Sequence, residues 1–288
     1  MKVIDFIDES IKKYGKLGDS SFEYIGLSIN KGAISKQNVY RKKNDNLMNE
    51  LFCKYPYKNI IERFSDLLGN GYIDVCDISA AEKNGRNTFR IIFEICNICD
   101  QSVLLDKFFS KIKNGEYYKN SLINIIKELK IKTSYESVRL FLIGIECDDE
   151  CNISAIKYYI WMAEIYDDII NGNIVINEFA GFQDQRIIDI CKKIKESNYR
   201  PILWGINDEN GIKEHKLYFK SEAFGFQTSN IVKNTNEIMR YIGCDLVIDE
   251  SITEELFIKD LFVEGIGISF EKTDMFRLYI GVLPRKQI

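Results

Sequence analysis

Proline and histidine are scarce in this chain: three prolines and one histidine occur among 288 residues. With so few prolines and no low-complexity stretch there is no evident linker, so a single domain over residues 1–288 is expected. The one histidine, His215, directly precedes Lys216, so the two side chains point to opposite faces of a strand. His215 is therefore expected on the outer face of the sheet and not in a catalytic site.

Neither a strong net charge nor a long apolar run is present. The formal net charge of −4 lacks the excess of basic residues that nucleic-acid binding requires. No apolar stretch reaches the length that spans a membrane, and residues 1–5 do not begin a signal peptide. A cytoplasmic monomer without nucleic-acid or membrane partners is expected.

Two short motifs suggest metal binding but fit it poorly. Cys96 and Cys99 form a CxxC, and Cys147 and Cys151 flank an acidic turn, yet no histidine lies beside either pair. A chain of this size needs no disulfides, so reduced thiols are expected. Asp167-Asp168 resembles the acidic motif of all-helical isoprenoid synthases, but it follows a strand, so a solvated loop is expected.

A short pattern recurs along the whole chain: a basic residue, one apolar residue and then, in most copies, a tyrosine. In a strand, residues i and i+2 share a face, so each copy sends a cation and usually a ring to the same side. One copy alone is uninformative, whereas a face that collects four cations needs an anionic ligand. The copies are Arg90-Ile91-Ile92, Lys157-Tyr158-Tyr159, Lys216-Leu217-Tyr218 and Arg277-Leu278-Tyr279, with Asn38-Val39-Tyr40 as a degenerate fifth.

Each copy is preceded by an apolar strand that contains a glycine and by a polar turn. The copy at Arg90 has the strand and the turn but lacks the glycine. The glycines are Gly26, Gly144, Gly205 and Gly267. Turn residues between two apolar runs indicate hairpins, and apolar residues at helical spacing lie between the hairpins. An opening helix over residues 3–14 completes five helix–hairpin units.

These units predict an α+β fold. One strand face is apolar enough to receive helices, and the other carries the cations and tyrosines. Ten antiparallel strands closed into a barrel would leave interior space for a ligand, because barrel diameter grows with strand number. Helices outside and a polar ligand tunnel inside are expected.

On these repeats the chain resembles the ABBA prenyltransferases, whose fold is the PT barrel of five αββα units. The length suits the smaller bacterial members, which act on aromatic small molecules or on cyclic peptides made from ribosomal precursors. The resemblance implies transfer of a dimethylallyl or geranyl group from its diphosphate to an electron-rich acceptor. It assigns diphosphate binding to Arg90, Lys157, Lys216 and Arg277, and a tyrosine shield around the allyl cation to Tyr159, Tyr218, Tyr279 and Tyr40.

The acceptor also needs a group that orients it and takes its proton. Asp74 is the first choice, because alternation with Tyr72 and Cys76 points it inward ahead of Arg90. The family more often has Glu at about this place. Glu146, two residues past Gly144, is the second inward acid, and a purely structural pair of Asp74 with Arg90 is equally compatible with the sequence.

The expected function is prenyl transfer, magnesium-assisted or metal-independent. The short stretch after Tyr279 suggests an unobstructed barrel mouth, which suits a peptide acceptor; an aromatic small molecule is the alternative. Donor length depends on wall residues such as Trp161 and Phe226. Two non-catalytic alternatives stay open: a barrel that binds an isoprenoid diphosphate without turnover, and a scaffold with a filled core.

Overall fold

The structure is a computed structural model of the chain. It describes residues 5, 7–8, 24–30, 33–42, 57–83, 86–96, 101–133, 139–163, 165–173, 184–197, 199–221, 228–243, 248, 254, 258, 261–269 and 275–282. The predicted opening helix over residues 3–14 lies largely outside this part of the chain.

Long antiparallel strands alternate with helices. The strands are β1 (Tyr24–Asn30), β2 (Ala33–Lys42), β3 (Ile73–Lys83), β4 (Arg86–Ile95), β5 (Leu140–Cys147), β6 (Ile153–Trp161), β7 (Tyr199–Glu209), β8 (Ile212–Ser221), β9 (Leu261–Ser269) and β10 (Met275–Val282). The described helices are α1 (Tyr57–Arg63), α2 (Ser65–Leu68), α3 (Gln101–Phe109), α4 (Gly115–Thr133), α5 (Tyr166–Ile170), α6 (Gln185–Glu196) and α7 (Thr228–Tyr241).

The chain divides into two compact units, each made of separate stretches of sequence. Unit 1 contains Met1–Tyr40, Met162–Leu203 and His215–Ile288. Its strands pair antiparallel in the order β2–β1–β10–β9–β8. Helices α6 and α7 meet where Asn234 donates to the Ser197 carbonyl at 3.0 Å, and the Tyr166 ring of α5 packs edge-on against Phe219 of β8. Helices thus cover the apolar face of these strands.

Unit 2 contains Arg41–Trp161 and Trp204–Glu214, and its strands pair antiparallel in the order β3–β4–β5–β6. Three buried rings bind the first helices to the sheet: Phe64 stacks on Phe108 of α3 with ring centroids 4.6 Å apart, and both contact Phe93 of β4. Helix α4 packs on β6, where the Tyr158 hydroxyl donates to the Tyr118 carbonyl at 3.3 Å.

The predicted antiparallel sheet with helices between hairpins is confirmed. The apolar residues placed opposite the cations are buried, as Ile91, Ile156, Leu217 and Leu278 illustrate with at most 1% exposure. Closure of ten strands into one barrel, the five-fold repeat and the single-domain organisation stay predictions. No described helix is both long and apolar enough to cross a membrane.

Three of the repeated glycines lie directly opposite a residue of the cation–tyrosine strands. Gly144 pairs with Lys157, Gly267 with Tyr218, and Gly26 with Tyr279. Opposed residues on antiparallel strands share a face, so each missing Cβ leaves room beside a long side chain. At Gly144 the fit is close, because a Cβ there would lie 3.3 Å from the Lys157 Cβ.

Candidate functional site

A buried ion pair joins Arg90 of β4 to Glu146 of β5. The two residues are register partners in the β4–β5 ladder, so their side chains leave the sheet on the same face. Arg90 Nη2 donates to Glu146 Oε2 at 2.9 Å. Arg90 is 7% exposed and Glu146 is 5% exposed, so both charges are largely removed from water.

Lys157 of β6 adds a second cation to the same carboxylate. Its Nζ lies 3.3 Å from Glu146 Oε2 and donates at 2.5 Å to Oδ1 of Asn207, which lies in the part of β7 that belongs to unit 2. Lys157 is 9% exposed. We call Arg90, Glu146, Lys157 and Asn207 the cation cluster.

The cation cluster holds two cations on one carboxylate. Its two cations share one carboxylate, and Asn207 contributes a neutral amide, so these four side chains carry a formal charge of +1. A buried charge is expensive unless it is compensated. Cations held in a site that excludes water interact strongly with an incoming anion, and Arg and Lys are the usual ligands of phosphate groups. The cluster is therefore suited to an anion with several oxygens.

Sequence reasoning had assigned no role to Asn207, although the sequence contains a signal for it. A polar residue stands two positions after each repeated glycine: Ser28, Glu146, Asn207 and Ser269. Each of these lies beside a predicted cation. Glu146 pairs with Arg90, Ser269 with Lys216 and Ser28 with Arg277 in the strand registers, and Asn207 accepts from Lys157. The glycine-x-polar pattern thus identifies the residues that accompany the cations.

Unit 1 holds two of the predicted shield tyrosines together. The rings of Tyr218 and Tyr279 are 6.1 Å apart between centroids and inclined at 46°. Gly267 lies between them, since a Cβ there would be 3.4 Å from Tyr218 Cδ1 and 3.5 Å from Tyr279 Cε2. Both tyrosines are half-buried, and ring faces offer a cation an attractive quadrupole.

The other predicted residues fall on the expected strand faces. Lys216 is half-buried on β8, with the same facing as Tyr218, and Tyr159 is 7% exposed on β6 with the same facing as Lys157. Arg277 lies in β10 opposite Gly267, and Tyr40 lies in β2 opposite Tyr24. The side chains of Arg277 and Tyr40 are outside the described part of the structure. The binding role of each of these residues stays a prediction.

Asp74 and Arg90 are not opposite each other in the sheet. Asp74 is exposed and pairs across the hairpin with Glu94, whereas Arg90 pairs with Ser79. Glu94 and Arg90 are four residues apart in β4 and share a face, so Asp74 has the same facing as Arg90 but lies further along the strands. The bulge in β3 between Val75 and Asp77 follows Asp74 and leaves its facing unchanged. The acid that meets Arg90 comes instead from β5. A catalytic role for Asp74 remains an untested prediction.

The Cys147 thiol of unit 2 is not activated. Burial raises the pKa of the Cys147 thiol to about 12, with Cys151 nearby as the next cause, so Cys147 is neutral at physiological pH and a poor nucleophile. Among the described residues no group of three His, Cys, Asp or Glu side chains could hold a metal ion. Cys99 lies outside the described residues.

The acidic pair Asp167-Asp168 and His215 both lie in unit 1. Asp167 and Asp168 begin the short helix α5, so the expected loop is wrong there; Asp167 is exposed and ion-paired with Lys195. His215 is 5% exposed and alternates with Lys216 along β8, which agrees with the expected outer face.

Comparisons with known proteins show that this fold is similar to that of solved prenyltransferase structures. No family model matches the chain, and no curated protein matches it. Solved structures do match: AnaPT from Neosartorya fischeri has a TM-score of 0.57 at 10% identity, with 95% of this chain and 82% of that chain covered. NotF prenyltransferase has a TM-score of 0.58 at 10% identity, with 91% and 80% covered.

A third similar structure contains ligands. The prenyltransferase PriB, in a ternary complex with L-tryptophan and dimethylallyl thiolodiphosphate, has a TM-score of 0.55 at 8% identity, with 92% of this chain and 82% of that chain covered. The predicted resemblance to ABBA-type prenyltransferases is thus confirmed at the level of the fold. At these identities the fold is what is shared.

Proposed function

We propose that this protein is a prenyltransferase that moves a dimethylallyl or geranyl group from its diphosphate to an aromatic acceptor. The observation that carries the proposal is the buried pair of cations, Arg90 and Lys157, on one carboxylate in a fold shared with prenyltransferases. Arg and Lys side chains are the usual ligands of phosphate groups, and a diphosphate is an anion suited to two such cations.

Arg90 and Lys157 would assist cleavage of the bond between the prenyl group and the diphosphate, the step in which negative charge grows on the diphosphate. When the bond between C1 of the prenyl group and the diphosphate oxygen breaks, the electron pair stays on the diphosphate and an allyl cation is left. Preorganised positive groups stabilise the growing negative charge of the leaving group. Arg90 and Lys157 supply two such groups, and Lys216 and Arg277 are proposed to supply two more.

The tyrosines stabilise the other product of that step. An allyl cation is attracted to ring faces by roughly 0.5–2 kcal/mol per ring, and it must be kept from water. Tyr218 and Tyr279, with rings 6.1 Å apart, offer such faces, and Tyr159 and Tyr40 are proposed to extend the shield. The aromatic acceptor then forms a bond to C1 with its π electrons and loses a proton to a base.

Glu146 is the better candidate for that base. It is buried and already hydrogen-bonded, whereas Asp74 is exposed. When diphosphate engages Arg90 and Lys157, Glu146 loses part of their attraction, which makes its carboxylate a stronger proton acceptor. The acid that balances the cations would then also receive the proton of the acceptor.

The acceptor is proposed to be an indole or a phenol. PriB is similar in fold and its complex holds L-tryptophan, and an electron-rich ring is what an allyl cation attacks. Such a ring within a cyclic peptide is the acceptor form predicted from the sequence, and it remains part of the proposal together with a soluble cytoplasmic monomer. Magnesium, where used, would accompany the diphosphate.

The test is product formation. The purified protein is incubated with dimethylallyl or geranyl diphosphate and with tryptophan, tyrosine or a tryptophan-containing cyclic peptide, with and without magnesium. We expect the acceptor mass to rise by one prenyl group while diphosphate is released. Lys157→Met should abolish this, and the matched control Lys127→Met, on the exposed face of α4, should not.

The alternatives predict other results. A binding protein would bind dimethylallyl thiolodiphosphate, which does not ionise readily, through Lys157 and yet form no product with any acceptor. A scaffold with a filled core would not bind the analogue. Either result contradicts the proposed transferase activity.

A further inference from the structure

A second polar cavity lies in unit 2, away from the cation cluster. Its volume is about 470 Å³, which is within the range of small-molecule sites. Its polar lining comes from Arg63 at the end of α1, from Lys113, Asn114 and Tyr118 around the start of α4, and from Asn152 and Asn210 in two hairpin turns. We call it the turn cavity.

The turn cavity is on the other face of the sheet from Glu146. Tyr118 lines the cavity and its carbonyl accepts from Tyr158 of β6, whose neighbour in the strand is Lys157, the partner of Glu146. Consecutive residues of a strand point to opposite faces. The cavity therefore belongs to the helix-covered side of the strands and is distinct from the proposed diphosphate site.

The charge around the turn cavity favours an anion. Arg63 and Lys113 line it, and no acidic side chain is among its described lining residues. Helix α4, of 19 residues, begins directly after Asn114, so the positive end of its dipole lies at the same place. Two acids of the β5–β6 turn, Asp148 and Glu150, accept from the Asn152 amide nitrogen at 3.2 and 3.3 Å and are thereby held within their own turn.

The backbone around the turn cavity is also unusual. Non-glycine residues with positive φ occur at three described positions, Asn114 (60°), Cys151 (65°) and Asn210 (53°), and all three line this cavity. Asparagine tolerates this conformation in turns, but cysteine rarely adopts it. Such residues concentrate at binding and catalytic sites.

Existing hydrogen bonds keep the polar groups in place. The Tyr118 hydroxyl donates to Asn210 Oδ1 at 3.3 Å, which links α4 to the β7–β8 turn. With its oxygen used in this way, the Asn210 amide keeps its nitrogen as a donor toward a ligand. Burial raises the pKa of the Tyr118 phenol, so this hydroxyl stays a donor at neutral pH.

We infer that the turn cavity binds a small organic anion that carries a phosphate or carboxylate group. Arg63 and Lys113 neutralise the anionic group, and Asn210 with the start of α4 donates hydrogen bonds to it. This inference is independent of prenyl transfer, because none of these residues belongs to the cation cluster or to the tyrosine shield.

Titration with inorganic phosphate and with succinate, at constant ionic strength, tests the inference. The same titration of Lys157→Met, in which the proposed diphosphate site is weakened, separates binding at the two sites. We expect one of the two anions to bind and to shift the backbone amide resonances of Asn114 and Asn210. Phosphate binding would indicate a phosphorylated ligand, and succinate binding a carboxylate ligand.

The double variant Arg63→Ala/Lys113→Ala should weaken that binding by about tenfold or more, because each charge-assisted contact contributes on the order of tenfold. The matched control Lys58→Ala/Lys127→Ala removes the same charge from exposed positions of α1 and α4 and should leave binding unchanged. Equal weakening in both variants, or no binding of either anion to the wild-type protein, would overturn the inference. Absence of prenyl transfer would leave it untouched.

Discussion

The guanidinium of Arg90 donates to the carboxylate of Glu146 at 2.9 Å, although 56 residues separate the two in the chain. The β4–β5 register places them opposite each other, and the same carboxylate oxygen lies 3.3 Å from Lys157. On the proposed function, Glu146 thus occupies the position between two cations for which an oxyanion of the diphosphate would compete. This relationship implies competition between the carboxylate and any anionic ligand.

Replacement of Glu146 by Gln should therefore tighten binding of an unreactive diphosphate analogue while it slows turnover. The neutral amide no longer competes for Arg90 and Lys157, so we expect about three- to tenfold higher affinity, equivalent to roughly 0.7–1.4 kcal/mol. Turnover should fall because the proposed base is lost. Calorimetric titration and product assays measure the two effects, with Glu62→Gln on exposed α1 as the control. Weaker binding by Glu146→Gln would contradict the competition.

Asn207 should act through Lys157. Its Oδ1 accepts from Lys157 Nζ at 2.5 Å, so Asn207→Ala leaves the ammonium group less well positioned. We expect analogue affinity to fall by about three- to tenfold, since a hydrogen bond to a charged group contributes roughly 1.5–3 kcal/mol before compensation. Asn120→Ala, which removes an exposed amide on α4, should bind like the wild type. Unchanged affinity in Asn207→Ala would show that Lys157 keeps its position unaided.

Substitution by alanine should affect stability differently at two nearby glycines of β9, Gly265 and Gly267. A Cβ at Gly265 would lie 2.5 Å from the Phe219 carbonyl oxygen, so the backbone must move. Urea unfolding should then show a loss of about 1–3 kcal/mol.

At Gly267 the added methyl makes ordinary contacts with the rings of Tyr218 and Tyr279, so Gly267→Ala should remain about as stable as the wild type. On the proposed function it narrows the space beside the shield and should reduce activity with geranyl diphosphate more than with dimethylallyl diphosphate. A wild-type ratio of the two activities would argue against a prenyl group beside these rings.

Stability should decrease above about pH 9. Burial raises the pKa of the Cys147 and Cys191 thiols from 9.0 to about 12. Between these values the unfolded chain has lost protons that the folded chain keeps, so the free energy of unfolding falls as pH rises, by up to about 1.4 kcal/mol per pH unit for each thiol. Burial also raises the pKa of Tyr199, which acts in the same direction.

Urea unfolding at pH 8, 9 and 10 measures this decrease. Cys147→Ala should have a shallower pH dependence than the wild type, whatever its stability at pH 8. A free energy of unfolding that is constant over this range would contradict the raised thiol pKa values.

Local alternation along the strands was sufficient to predict which face each residue occupies. His215, Leu217 and Phe219 are buried while Lys216 and Tyr218 are half-buried on the other side, as two-residue periodicity requires. In β3 a bulge between Val75 and Asp77 changes the alternation of the residues after Asp74. A bulge depends on how two strands pair, so it cannot be derived from one strand alone.

The sequence by itself determined the antiparallel hairpins and the apolar and polar faces of the strands, because these features depend on residues close together in the chain. Only the tertiary structure decided that Glu146, not Asp74, meets Arg90, that Asn207 holds Lys157, and that Arg63 and Lys113 line one cavity. Those partnerships join segments tens of residues apart. Strand register and helix packing select them, and the packing of the whole chain, not the local sequence, sets both.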